Sequence, residues 1–287
     1  MEARWEEGKR GKGGFAIASR VMDNVAVSHG KKTMTAVIYE QPLNERIRTF
    51  LRLEFLFQQA DHTLQGTSPW DSRATLDCLF HILNIFSRND IKTEVVKELE
   101  RQAANLAPLE KLPGVDKTKL NETLGNMELL IDRLYMVPGQ IGQLLRDNEF
   151  LCSIKQRSSI PGGTCDFDLP GFHYWLHQPA ERRREALENW LNEFATVRSG
   201  LELALRQVRE SAPFKPVTAA GGFYQQSLDT STPYQLIRAK FPAGADGFAE
   251  ISAGKHRFTI RFMALKMEER PSQIEEDLEF QLACCAL

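Results

Sequence analysis

The spacing of apolar residues changes once along the chain, at Pro213, and that change limits the possible folds more than any other feature. Before it, apolar residues recur every three or four positions, as in helices laid on a core. After it they alternate, and glycine-, proline- and charge-rich turns divide five strand-like stretches: 222–227, 234–241, 248–252, 256–265 and 278–284. Helices followed by sequential strands argue for an α+β fold with an antiparallel sheet. The expected organisation is a helical domain over 42–212 and a smaller β domain over 213–287. Residues 35–41, TAVIYEQ, are rich in β-branched and aromatic side chains and stop at Pro42. A lone strand needs a sheet, so residues 34–41 are expected to return to the β domain.

The first helix is expected over 42–59, PLNERIRTFLRLEFLFQQ, with Pro42 in its first turn, where a missing N–H costs nothing. Wound at about 100° per residue, Leu43, Ile47, Phe50, Leu51 and Phe57 share one side, and Arg48, Arg52 and Gln59 the other. Phe55 widens the apolar stripe, and Leu56 falls among the polar residues. Glu54 lands inside the stripe, where an unpaired carboxylate is very costly, so a cation such as Arg146 or Arg157 is expected beside it. Further helices are expected over 72–88, 91–106, from Asp116 as N-cap to 134, 139–146, 149–156, 169–177 with Asp168 as cap, 180–194 and 199–210. Pro161-Gly162-Gly163 forces a turn.

Residues 1–33 contain GKRGKGG, hold seven basic and four acidic residues, and show no sustained period. They read as a disordered tail or an extended gene start, and Met34 begins the ordered sequence. Their removal leaves the remainder more acidic than the whole, whose net charge is −2. No global basic field points to nucleic acid, so a basic surface must be local. The apolar runs are too short to cross a bilayer, so no membrane insertion is expected. The five cysteines include no CxxC and read as reduced thiols of a cytoplasmic protein.

Catalytic signatures are absent: no phosphate-binding loop with a Lys-Ser/Thr continuation, no GxSxG and no HExxH. No cofactor and no metal site is expected, and no enzyme activity. Cys284–Cys285 is better read as two small apolar residues closing a strand than as a metal pair. His173 and His177 stand four apart, but without a third ligand they read as packing or hydrogen-bonding groups. The more informative pattern is basic. Arg257 and Arg261 share one face of 256–265, Lys255 and His256 sit at the turn before it, and Arg238 and Lys240 share a face of 234–241. If the two strands are neighbours, one sheet face gathers cations able to hold an acidic peptide or a terminal carboxylate. The simpler alternative is a solvated face paired with Glu250, Asp277 or Glu279.

Taken together, PLNERIRTFLRLEFL (42–56), KTEVVKELERQ (92–102), IGQLLR (141–146), SIPGGTCDFDLPGFHYWLH (159–177), RESAPF (209–214), GGFYQ (221–225), KHRFTIRFM (255–263) and LEFQLACC (278–285) resemble the cell division protein ZapD family. The resemblance runs in order from about residue 35 to 285, and residues 1–33 have no counterpart in it. It implies a non-enzymatic cytoplasmic homodimer, at the mid-cell division site, that binds the C-terminal tail of FtsZ, the bacterial tubulin-like GTPase. Dimers of such a protein crosslink and bundle FtsZ filaments. By the same resemblance the tail-binding positions are Arg257 and Arg261, with Lys255 adjacent and Arg88 matching a further basic position, while Arg238 belongs with them if the strands adjoin. Dimer contacts fall on Arg52 and His173, with Arg48 as companion. A third family contact lies near Glu149, where this chain is acidic. The rival reading is a nucleic-acid-binding regulator that uses the basic face of the β domain.

Overall fold

In the computed structural model, which describes residues 36–241, 246–254 and 256–287, Asn44 starts the first helix. Its side chain accepts the Ile47 amide at 2.9 Å, and helix α1 runs Glu45–Leu64. Pro42 therefore does not open the helix. It ends strand β1, Val37–Pro42, opposite Leu236, at the edge of a sheet where a missing donor is tolerated. The 1–33 tail and Lys255 lie outside the described residues.

Ser68 and Asp71 form a reciprocal capping box that starts helix α2, Pro69–Arg88. Asp90 caps α3, Ile91–Leu106, and a 3-10 turn follows over Ala107–Lys111. Asp116 caps α4, Lys117–Met136, as its sequence position predicts. Only Gln143–Arg146 is helical, as α5, in the stretch after Gly139, and α6 is Glu149–Ser158. Helix α7, Pro170–Leu176, has no side-chain cap, so Asp168 does not fill the expected role. Its carboxylate instead accepts from Arg157 at 3.4 Å, tying α6 to the following turn. Helices α8, Ala180–Asn192, and α9, Ala195–Glu210, complete the helical part. Helix α9 lies against α1, α3 and α4. Gly200 permits that approach, since a Cβ there would stand 2.8 Å from Val95 Cγ1.

The strands then follow: β2 (Lys215–Ala219), β3 (Phe223–Ser227), β4 (Tyr234–Phe241), β5 (Phe248–Ala253), β6 (Arg257–Ala264), β7 (Ser272–Gln273) and β8 (Leu278–Ala286). They form two antiparallel sheets: β1-β4-β8-β2, and β3-β6-β5 with β7 also paired to β6. The expected return of the N-terminal strand is realised in β1, which pairs with β4. The fold is α+β. Strands β4 and β6 lie in different sheets, so the premise that they are neighbours is wrong.

The first sheet is a middle layer, and alternation along its strands shows it. Leu236, Ala283 and Cys285 join the core beneath the helices, while Ile237, Ala239, Phe241, Phe280 and Leu282 join the core shared with the second sheet. Cys284 and Cys285 consequently point to opposite faces. Burial pushes the Cys285 thiol up to about 11, which leaves it a small apolar filler of the strand.

Candidate functional site

The outer face of the second sheet carries two exposed arginines on one strand. Phe258, Ile260 and Phe262 of β6 are fully buried, so the intervening residues face away from the core. Arg257 and Arg261 are exposed there, and no ion pair involves either among the described residues. The register sets their neighbours. Arg261 stands between Phe223 of β3 and Glu250 of β5, Thr259 between Gln225 and Ser252, and Arg257 beside Ser227.

Arg238 is elsewhere. It projects from β4 toward the helices, donates to Glu40 at 2.8 Å and to the Arg209 carbonyl at 3.3 Å, and stacks over Phe214. It is a member of a four-group ionic cluster whose centre is Arg209 of α9. Arg209 donates to both oxygens of Glu40 at 2.9 and 2.8 Å and to both of Glu54 at 2.7 and 2.6 Å. The buried carboxylate foreseen in α1 thus has its cation, but it is Arg209 rather than Arg146 or Arg157. The hydrogen bond from Arg209 to Glu54, then those to Glu40, hold this guanidinium even more firmly protonated than usual, against the opposing effect of burial. The cluster ties β1, β4, α1 and α9 into one unit.

Arg48 and Arg52 line a groove of about 570 Å³ between α1 and α2, with Leu51, Leu56, His81 and Ile85. Phe55 stands at this groove with 64% of its surface exposed, and Arg48 Nε lies 3.2 Å from the Glu45 carboxylate. A large exposed apolar side chain beside two arginines suits an interface that something else completes. His173 lies on α7, outside this groove, with its ring against that of His177 at 4.3 Å. Arg88 ends α2 at a separate cleft lined by Asp90, Lys92 and Gln140. The structure therefore brings together Arg257 with Arg261, and Arg48 with Arg52, and places Arg88, Arg238 and His173 apart from those pairs. Among the described residues, no group of three His, Cys, Asp or Glu is close enough to hold a metal ion. No helix among them is long and apolar enough to cross a membrane.

The model of the ZapD family, described as a cell division protein, matches residues 51–261, most of the chain. Curated relatives agree along nearly their whole length. The cell division protein ZapD of Methylococcus capsulatus is 45% identical over 251 residues, covering 88% of this chain and 98% of that protein. That of Cupriavidus pinatubonensis is 41% identical over 250 residues, with 87% and 99% covered. The chain belongs to the ZapD family. A third member, from Aromatoleum aromaticum, is 40% identical over 256 residues, 89% of this chain and all of that protein. Membership of the ZapD family assigns the chain to cell division.

Reasoning from the sequence alone missed two residues that shape these surfaces. Arg209 lies 155 positions from Glu54, so periodicity announced the need for a cation without naming it. Phe223 was legible only as an apolar residue on the polar side of a strand, and the register alone puts it beside Arg261.

Proposed function

We propose that this member of the ZapD family is a non-enzymatic division factor that grips the C-terminal tail of FtsZ on the outer face of its second sheet. As a homodimer it crosslinks and bundles FtsZ filaments at the division ring. The observation that carries this reading is the pair Arg257 and Arg261, exposed on one strand face and in no ion pair among the described residues, with Glu250 as the one acidic cross-strand neighbour of Arg261. Guanidinium groups in that state favour a carboxylate-bearing partner, with which they form charge-assisted, two-pronged bonds. The groove at Arg48, Arg52 and Phe55 supplies the second requirement, a surface for a second copy.

The mechanism is mechanical. One face on one protomer decorates a filament, whereas a two-fold dimer presents two faces and bridges neighbouring filaments. Each grip need not be tight, because FtsZ in a filament offers many tails at high effective concentration. The test is direct: replace Arg257 and Arg261 with Glu and measure binding of an FtsZ tail peptide by fluorescence anisotropy. Affinity should fall by at least about tenfold, since attraction becomes repulsion at both positions. Unchanged affinity would remove the grip from this sheet.

A further inference from the structure

The outer face of the second sheet has a pattern beyond its two charges. Along β6 the outward residues run Arg257, Thr259, Arg261, Met263. The two arginines are four residues apart, about 13 Å along a strand rising roughly 3.3 Å per residue. Between them lies an uncharged row, Gln225–Thr259–Ser252. Beyond Arg261, Met263 pairs with Phe248 on the β5 side and with Gln273 of β7 on the other. Phe223, 37% exposed, flanks Arg261 on the β3 side, while Glu250 flanks it on the β5 side. An anion is repelled from the β5 side and meets an aromatic surface on the β3 side.

We propose that this face reads an extended peptide with two carboxylates four residues apart and an apolar side chain two residues beyond the one that meets Arg261, and that Phe223 and Met263 form the apolar subsite. The proposal rests on the tail-binding reading and specifies the chemistry the tail must carry. An extended peptide presents every second side chain to one side, at the same repeat as β6. Carboxylates at the first and fifth positions of such a stretch therefore meet both arginines, and the residue midway rests on Thr259. The residue two positions outside falls on Met263 and Phe248. Two exposed cations alone hold any acidic segment weakly and without selection. Burying an apolar side chain against Phe223 and Met263 supplies the difference between partners.

The experiment uses the full chain and four fluorescein-labelled probes. Three are seven-residue peptides of alanine and serine: leucine first with glutamates third and seventh, leucine first with glutamates third and fifth, and alanine first with glutamates third and seventh. The fourth is an eight-nucleotide oligothymidine. The first peptide should bind about threefold more tightly than the second, as one exposed ion pair is gained. It should bind about fivefold more tightly than the third, as an apolar contact is gained. Phe223→Thr, which keeps a β-branched residue in the strand, should remove the advantage of leucine and leave the alanine peptide unchanged. Equal binding of all three peptides, equal loss of the leucine and alanine peptides in Phe223→Thr, or tighter binding of the oligothymidine would overturn the proposal. The two readings separate cleanly with an FtsZ tail peptide. If Arg257→Glu with Arg261→Glu abolishes its binding while Phe223→Thr leaves it intact, the apolar subsite falls and tail binding stands. If the double variant still binds it, tail binding on this face falls.

Discussion

Arg209 shows how much one side chain holds. Its guanidinium serves two carboxylates at once, and those carboxylates come from β1 and α1, on opposite sides of the junction between sheet and helices. Glu54 keeps only 14% of its side-chain surface in water. Arg209→Met leaves the largely buried Glu54 without its cation while Glu40 keeps Arg238, so stability should fall by about 3 kcal/mol in a urea titration. The need for that cation was legible in the sequence, because Glu54 interrupts an apolar stripe. Its identity was not, because periodicity is blind to contacts between distant elements. Glu98 gives the pH dependence. Burial alone would raise its carboxyl, but hydrogen bonds from Arg101, Gln102 and Arg46 outweigh burial and hold it below the ordinary value of 4.5. The folded carboxylate thus stays ionised where the unfolded one takes up a proton. Its contribution is full above about pH 4.5 and is lost as pH falls through the depressed value. Thermal melts of Glu98→Gln should accordingly lie below wild type at pH 7 and converge with it under acid conditions.

At the scale of elements, helix faces and strand faces were readable because burial imposes its period on the sequence. The starts of α2, α3 and α4 follow side-chain caps at Ser68, Asp90 and Asp116. The errors have local causes. Pro42 and Pro216 sit in β1 and β2, the two edge strands of the first sheet, where a proline that argues against a strand is in fact harmless. The same tolerance hides β2 from a reading by composition and lets Pro42 look like the start of a helix. The grouping of Arg238 with Arg257 and Arg261 failed for another reason. Successive strands β4 and β5 lie in different sheets, so order in the chain does not give order in space. Packing between elements yields its own prediction at Gly200, where α9 meets α3 with no room for a side chain. Gly200→Val should force these helices apart and lower stability by about 2 kcal/mol, read as an earlier urea midpoint with the tail affinity unchanged.

For the whole molecule, the proposed function needs two surfaces, a cationic face to grip a tail and a groove to pair one copy with another. Pairing should be sensitive to charge at the groove. Arg48→Glu combined with Arg52→Glu should raise the monomer fraction in sedimentation velocity and lower bundling while sparing affinity for a single tail peptide. A grip through exposed arginines, as proposed, should also make bundling weaken as salt rises from about 0.05 to 0.3 M, as the screening length shortens. The central claim, that filaments are gathered through their tails, is tested most directly by co-sedimentation with FtsZ polymers. Full-length FtsZ should pellet at low speed as bundles containing this protein, and FtsZ truncated before its C-terminal tail should stay in the supernatant without it. Equal bundling of the truncated polymer would contradict the account.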